Sequence, residues 1–72
     1  MNLSMLSPDE SGIVKTVVAE QGMKRRFYDL GLVPGTKVKC IGKSPLGDPK
    51  AYFVRGTVIA IRRSDSSNII LE

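Results

Sequence analysis

The sequence predicts a mainly β fold, a small and strongly bent β-barrel of about five short strands with one short helix after the first strand. Short β-branched, apolar segments recur between clusters of Gly, Pro, Ser and Asp, as in all-β domains. The segment after the first of them instead repeats its apolar residues at helical spacing. A barrel is favoured over an open sheet because an open sheet leaves strand edges that need protection. With so short a chain, residues 1–72 are expected to form a single domain.

The first strand and the helix are predicted from residue type and spacing. Residues 13–19 (IVKTVVA) are β-branched and apolar, which favours a strand. Beyond them, Met23, Phe27 and Leu30 fall at positions i, i+4 and i+7, so they predict the apolar face of a helix of about two turns. The residues on its other faces are expected to meet water or a partner: Lys24, Arg25 and Tyr28.

The helix is expected to stop abruptly after Leu30. With Leu30 as the C-cap, Gly31 takes the left-handed conformation that closes a Schellman turn, where a side chain would be strained. That motif also expects an apolar contact from Leu32 back to Phe27. The residue types that follow Leu30 therefore predict the end of the helix.

A second turn leads into the second strand. Pro34 prevents the helix from resuming, and with Gly35 it predicts a type II turn, since proline suits the second position and glycine the third. The strand Lys37–Lys43 then begins with strict alternation of polar and apolar residues. Val38 and Cys40 are expected to point inward, because a free cysteine behaves as a small buried hydrophobic residue.

The alternation breaks at Ile41 and Gly42, which predicts a bulge or a strong bend in the strand. Strong bends of this kind turn the corners of small barrels. The remaining segments are predicted in chain order as a loop (44–49), two strands (51–55 and 57–62) joined tightly at Gly56, a polar loop (63–68) and a last short strand (68–71).

The composition limits the classes of function. One cysteine and no histidine remove the commonest general base and most zinc ligands, so an enzyme is disfavoured and no catalytic residue, metal ligand or cofactor is assigned. No apolar run approaches the roughly 18 residues that span a bilayer, so the protein is expected to be cytoplasmic and not inserted in a membrane. The net charge of +4 suits a nucleic acid, an anionic membrane face or an acidic protein, but ordinary solubility is the favoured interpretation, because small domains commonly carry a charge of this size.

Three stretches of the chain resemble the FeoA family, small cytosolic accessory proteins of bacterial ferrous iron transport. RRFYDLGLVPGTKV at residues 25–38 resembles that family's R-x-L-x-x-L-G-[hydrophobic]-x-P-G-x-x-V core, with Phe27 at the usual leucine position. SPLGDPKAYFVRG at residues 44–56 resembles its loop and the strand beyond, and LSMLSPDESG at residues 3–12 resembles its opening. The resemblance assigns a structural motif to these residues: Phe27, Leu30, Gly31, Leu32, Pro34, Gly35, Pro45, Gly47 and Pro49.

The resemblance implies an SH3-like β-barrel with the helix inserted after the first strand, which agrees with the pattern of the residues. It implies a role in ferrous iron uptake through protein–protein interaction with FeoB, a membrane permease with a cytosolic GTP-binding domain. Transition-metal binding is implied at the level of the family, whereas the residues themselves support no high-affinity site. The oligomeric state stays open.

Two groups of residues are candidates for contact with a partner. The basic run Lys24, Arg25 and Arg26 on the helix could dock an acidic surface, although a solvated helix face is the favoured interpretation for any one of these residues, because exposed charge usually needs no function. Leu46 and Asp48 in the loop form the second group, because loops on a rigid scaffold often carry contacts. The competing interpretation of that loop is a simple two-proline corner between strands.

The alternative function is that of a nucleic-acid-binding barrel of the KOW type. VPGTKVKCIG at residues 33–42 is similar to the turn and strand of such barrels, and the net charge agrees. Against it, the chain has two tyrosines, two phenylalanines and no tryptophan, and it lacks the alternating basic and aromatic strand on which bases stack. Stable binding to nucleic acid is therefore not expected.

Overall fold

The computed structural model describes residues 1–72 and contains five strands, two helices and a short 3-10 turn. The chain opens with the 3-10 turn Leu3–Met5. The elements that follow are β1 (Ser11–Val17), α1 (Gln21–Asp29), β2 (Lys37–Lys43), β3 (Lys50–Val54), β4 (Thr57–Ile61), α2 (Arg63–Ser66) and β5 (Ile69–Leu71). The predicted mainly β class, with a helix after the first strand, is confirmed.

The five strands form one antiparallel sheet in the order β4-β3-β2-β1-β5. β1 divides its length between two partners, because residues 11–13 pair with β2 and residues 14–17 pair with β5. A register shift between Val14 and Thr16 lies where the partner changes. Irregularities of this kind increase the local twist of a strand, so the sheet bends around the core as the predicted barrel requires.

β2 contains the predicted break in alternation. Val38 and Cys40 are fully buried, as expected for inward-pointing residues. The register with β3 shifts between Cys40 and Gly42, so a bulge lies at this point. Ile41 is the extra residue, and its side chain is 41% exposed. The prediction of a bulge or bend at Ile41 and Gly42 is confirmed.

β3 and β4 form a hairpin with a two-residue loop, since Val54 pairs with Thr57. The loop residues Arg55 and Gly56 have φ angles of 49° and 81°. Positive φ at both positions is typical of a type I′ turn, whose twist matches that of the two strands. The tight connection predicted at Gly56 is confirmed.

The core is a single cluster of 13 buried residues drawn from every strand, from α1 and from the N-terminal segment. Burying a large aliphatic or aromatic side chain contributes about 1.5–3 kcal/mol, so this cluster is the main source of stability. Its members are Leu3, Leu6, Val14, Val17, Phe27, Leu32, Val38, Cys40, Tyr52, Val54, Ile61, Ile69 and Leu71.

Two expectations about α1 are wrong. Leu30, which the helical spacing placed on the apolar face, is 46% exposed. It is the C-cap, and the chain reverses direction directly after it, so Leu32 fills the core in its place. Tyr28, expected at the outer surface, is half-buried and packs against the core.

The polar segment 63–68, expected to be a loop, contains the single-turn helix α2 (Arg63–Ser66). The carboxylate of Asp48 accepts a hydrogen bond from the first amide of that helix, Arg63 N, at 2.8 Å. Because Asp48 lies 15 residues earlier in the chain, no local pattern reveals this contact. β1 also begins at Ser11 and ends at Val17, two residues earlier at each end than expected.

Candidate functional site

α1 starts at a side-chain cap and is anchored by one aromatic ring. The carboxylate of Glu20, the N-cap residue, accepts hydrogen bonds from Met23 N at 2.6 Å and Gly22 N at 3.3 Å. These bonds satisfy amides that have no partner within the helix. Phe27 is buried and Met23 packs at the edge of the core, as the spacing predicted. The opposite side of the helix is left for solvent or a partner.

The basic helix face consists of Lys24, Arg25 and Arg26. Arg25 and Arg26 are exposed. Lys24 is half-buried, and its Nζ lies 5.7 Å from the centre of the Tyr28 ring one helical turn away, within the range of a cation–π interaction. Because the three residues are consecutive, two exposed guanidinium groups and one ammonium group lie within a single turn of the helix.

The turn after α1 has the geometry of a Schellman motif. Leu32 N donates to Phe27 O and Gly31 N donates to Tyr28 O, both at 2.9 Å. Gly31 has a φ of 97°, the left-handed conformation expected of it. Leu32 is fully buried beside Phe27 in the same cluster. These bonds hold the end of the basic helix face rigidly against the core.

A second turn joins this region to β1. Thr36 N donates to Val33 O at 3.1 Å, and Gly35 has a φ of 92°, as the predicted type II turn requires. Gly35 N donates to Val14 O at 2.7 Å, and Val14 N donates to Thr36 O at 2.9 Å. The connection from α1 to β2 is thus tied to the sheet on both sides of the turn.

The loop between β2 and β3 is a compact corner with an apolar tip. Gly47 N donates to Ser44 O, and Ser44 Oγ donates to Asp48 O, both at 2.8 Å. Gly47 has a φ of 88°, and the peptide bond between Asp48 and Pro49 is cis. Leu46 is 94% exposed at the tip. The loop is therefore held by hydrogen bonds at its base, and the Leu46 side chain projects into solvent at its tip.

Asp48 has a structural role that its sequence position did not predict. Its carboxylate accepts the Arg63 amide, so the loop is fastened to the start of α2. Asp48 remains exposed, but its negative charge lies at the N-terminus of α2, where it stabilises the helix. Of the two candidates in this loop, Leu46 alone has a side chain without an intramolecular role.

The structure does not bring the two candidate groups together. The turn after α1 leads into the first residue of β2, whereas the loop with Leu46 follows its last residue. A strand rises about 3.3 Å per residue, so the seven residues of β2 set its two ends about 20 Å apart. They are two distinct surfaces at opposite ends of one strand.

A polar cluster beneath the N-terminal segment has no counterpart in the sequence predictions. Lys50 Nζ donates to Ser4 O at 2.8 Å and Leu6 O at 2.9 Å, and Tyr52 Oη donates to Leu3 O at 3.3 Å. These contacts span more than forty residues of chain, so no local pattern signals them. Burial raises the pKa of the Tyr52 hydroxyl. The cluster anchors the N-terminal segment over the core.

None of the helices has the length and apolar character needed to cross a lipid bilayer.

A bent five-stranded antiparallel sheet with a helix after the first strand defines a small SH3-like β domain. The FeoA domain model matches residues 1–72, and the chain belongs to the FeoA family. No protein with a curated description is found to match the chain.

Solved structures of FeoA proteins share this fold. The chain is similar to FeoA of Chlorobium tepidum, with 38% identity, a TM-score of 0.91 and coverage of 99% of this chain and 68% of that one. It is similar to a FeoA-like protein of Clostridium acetobutylicum, with 32% identity, a TM-score of 0.90 and coverage of 100% and 84%. It is also similar to FeoA of Stenotrophomonas maltophilia, with 32% identity, a TM-score of 0.88 and coverage of 100% and 89%.

The S. maltophilia protein is described as an SH3 domain protein complexed with zinc. The side chains of this chain do not fit such an ion as a single-chain site, because no three Cys, Asp or Glu side chains come close enough to share it. Cys40 is buried in the core, and the chain has no histidine. Stable zinc sites normally use three or four nitrogen, sulfur or carboxylate ligands from the protein.

Proposed function

We propose that this protein is a cytoplasmic accessory protein of bacterial ferrous iron uptake, one domain over residues 1–72, that binds a FeoB-type permease and catalyses no reaction itself. The observation that carries the proposal is the match of the FeoA domain to the whole chain. The S. maltophilia relative is described as a candidate activating factor of bacterial ferrous iron transport, which supports a role in the same system.

The basic helix face is the proposed contact surface for the permease's cytosolic region. Arg25 and Arg26 are exposed, and the capped start and Schellman end of α1 fix the helix that carries them. Cations on a rigid element steer an acidic partner into place and set the orientation of the complex. Little backbone order has to be gained on binding, because the helix is already held in place.

Leu46 provides a second proposed contact. An exposed leucine at the tip of an ordered loop can enter an apolar pocket on a partner, and interfaces commonly combine such an anchor with a charged rim. Because this loop and the turn after α1 meet opposite ends of β2, a partner that touches both surfaces must span that strand, which is about 20 Å long. Binding at the two surfaces is therefore separable by mutation.

One observation favours the alternative of nucleic acid binding. Phe53 is 45% exposed on the outer face of β3, directly opposite Lys39 of β2, and Lys37 and Arg55 line the same shallow groove. An exposed aromatic ring among cations is the kind of surface on which a base can stack. A single ring is a small platform, so the protein partner remains the first proposal.

Titration calorimetry of the protein against the cytosolic GTP-binding domain of the permease from the same organism tests the proposal. Saturable binding with defined stoichiometry is expected, together with negligible binding to duplex DNA or RNA at physiological salt. Tight nucleic acid binding with a steep dependence on salt, and no binding to the permease domain, would favour the alternative instead.

A further inference from the structure

The two edges of the sheet differ in how they are covered. The outer edge of β5 is met by the N-terminal segment, because Asn2 bridges to Ile70 and Leu71 N donates to Met1 O at 2.8 Å. β4 forms the other edge and pairs with β3 alone. An unpaired edge is a ready template for an additional strand.

The register of the β3–β4 hairpin shows which backbone groups are free. Val54 and Thr57 close the two-residue loop, so in an antiparallel ladder Thr57, Ile59 and Ile61 bond to β3. The N–H and C=O groups of Val58 and Ala60 then point away from β3, and they have no backbone partner elsewhere in the chain. Both side chains are exposed, Val58 to 57%. The free edge therefore offers two donors and two acceptors in strand geometry.

β4 lacks the usual devices that protect an edge. Its sequence, TVIAI, has no charged residue and no proline, and its register with β3 runs without a bulge. Natural edge strands are normally blocked by charges, prolines, bulges or a covering segment. The strand is instead rich in β-branched residues that favour pairing.

Charge at the two ends of β4 decides which strand can be added. Arg55 precedes the strand, and Arg62 and Arg63 follow it, and all three are exposed. A second copy paired antiparallel about Ile59 would set Val58 opposite Ala60, and it would also set Arg55 opposite Arg63 at both ends. Like charges placed opposite each other oppose pairing, so the flanking arginines disfavour self-association.

The same arginines favour a strand whose ends are acidic. We propose that β4 binds an extended segment of another protein, in which two to four β-forming residues lie between carboxylates, as a sixth strand of the sheet. Backbone hydrogen bonds to Val58 and Ala60 supply the pairing, and Arg55 with Arg62 and Arg63 select the charge pattern. Asp48 lies near one end through its bond to Arg63 N, and it moderates the positive charge there. The site is separate from the basic helix face, so binding at one of the two surfaces can be lost while binding at the other is kept.

A capped peptide, Glu-Thr-Val-Thr-Val-Glu, is the probe. NMR with the whole protein measures peptide affinity and the hydrogen exchange of individual amides. At millimolar peptide, exchange is expected to slow at Val58 and Ala60 and to stay unchanged at Ile59, whose amide already bonds to β3. A matched peptide with lysine in place of both glutamates should bind about fivefold to tenfold more weakly, as expected for two exposed ion pairs.

Two variants separate strand addition from other modes of binding. Methylation of the four central peptide nitrogens removes the peptide's donors, and the protein substitution Ala60→Pro removes a donor of the β4 edge. Either change should abolish binding. The methylated peptide is tested on the wild-type protein, so it still probes strand addition if the Ala60→Pro variant does not fold. Undiminished binding of the methylated peptide, equal binding of the lysine peptide, or protection of Val58 and Ala60 by self-association without peptide would overturn the proposal.

Discussion

Leu32 N donates a 2.9 Å hydrogen bond to Phe27 O across the reversal that ends α1, and both side chains lie in the same buried cluster. This bond is possible only because Gly31, between them, adopts a φ of 97°. The end of the helix, the position of Leu32 in the core and the orientation of the basic helix face therefore depend on one glycine.

Gly31→Val should lower the free energy of unfolding by more than about 1 kcal/mol, because a β-branched residue is strained in the left-handed region. A Cβ at Gly31 would also lie 2.9 Å from Arg55 Cδ and 3.5 Å from Val54 Cγ1. Gly35→Val is the matched control, since its φ is also positive but nothing lies within 4 Å of its Cβ position. Urea denaturation should show the larger loss for Gly31→Val. Equal losses in the two variants would mean that the contact with Arg55 is of no consequence.

Asp48→Ala should destabilise the protein by about 1 kcal/mol, because the first amide of α2 loses its acceptor. Asp48→Asn keeps an oxygen acceptor and should retain part of the stability. Thermal melting of the three proteins checks this order. A melting temperature unchanged by Asp48→Ala would show that the carboxylate does not hold α2, and would return Asp48 to the candidate contact residues.

The buried hydroxyl of Tyr52 predicts a loss of stability in alkali. Its pKa in the folded protein is raised above the ordinary value of about 10 by desolvation, so the neutral form is favoured in the fold. This contribution is complete below about pH 10 and is lost as the pH rises through the folded pKa. The stability of wild type relative to Tyr52→Phe should therefore stay constant up to about pH 10 and fall as the pH rises above it.

Denaturation at each pH measures that difference, and other titrating groups cancel because both proteins contain them. Tyr28→Phe serves as the control, since the Tyr28 ring is only half-buried. A pH-independent difference between wild type and Tyr52→Phe would show that the hydroxyl ionises as easily in the fold as in the unfolded chain.

The isolated monomer should bind neither zinc nor ferrous iron tightly at one-to-one stoichiometry. It has no histidine, and its single thiol, that of Cys40, is buried in the core. Calorimetric titration with each metal is the check, with Cys40→Ala as the control for any thiol contribution. A one-to-one site of about micromolar affinity or tighter would contradict the expectation, whether or not Cys40→Ala removes it.

Local patterns in the sequence predicted much of the fold. The order of the strands and of α1 along the chain, the bulge after Cys40, the Schellman turn at Gly31 and the tight turn at Gly56 were all predicted from alternation, helical spacing or the positive φ that glycine allows. Leu30 was placed on the apolar face by its helical spacing, although the turn predicted directly after it turns the C-cap side chain out to solvent. Helical spacing identified the buried face of α1, and the turn after the helix places Leu32 in the core where spacing had placed Leu30.

The contacts that were missed are long-range. The bond from Arg63 N to Asp48 and those from Lys50 to the N-terminal carbonyls join segments that only the folded sheet brings together. The free edge of β4 depends on sheet order, which strand patterns alone do not give. For the candidate contact residues, the sequence marked charge and loop position, and the structure added exposure for Arg25, Arg26 and Leu46.

The most direct test of the proposed function reverses the charge of the basic helix face. Arg25→Glu with Arg26→Glu changes two exposed side chains and should leave the melting temperature nearly unchanged. The control is Lys15→Glu with Lys43→Glu, which makes the same change in net charge at exposed positions on β1 and β2. Both pairs are compared with wild type for affinity to the permease's cytosolic GTP-binding domain at low and physiological salt.

We expect the helix variant alone to bind about tenfold or more weakly, and wild-type binding to weaken as salt rises, because rim charges steer association. Equal weakening in the helix and control variants would mean that net charge, and not this surface, governs binding. Undiminished affinity in the helix variant would contradict the account and place the permease contact elsewhere, with Leu46 the next residue to replace.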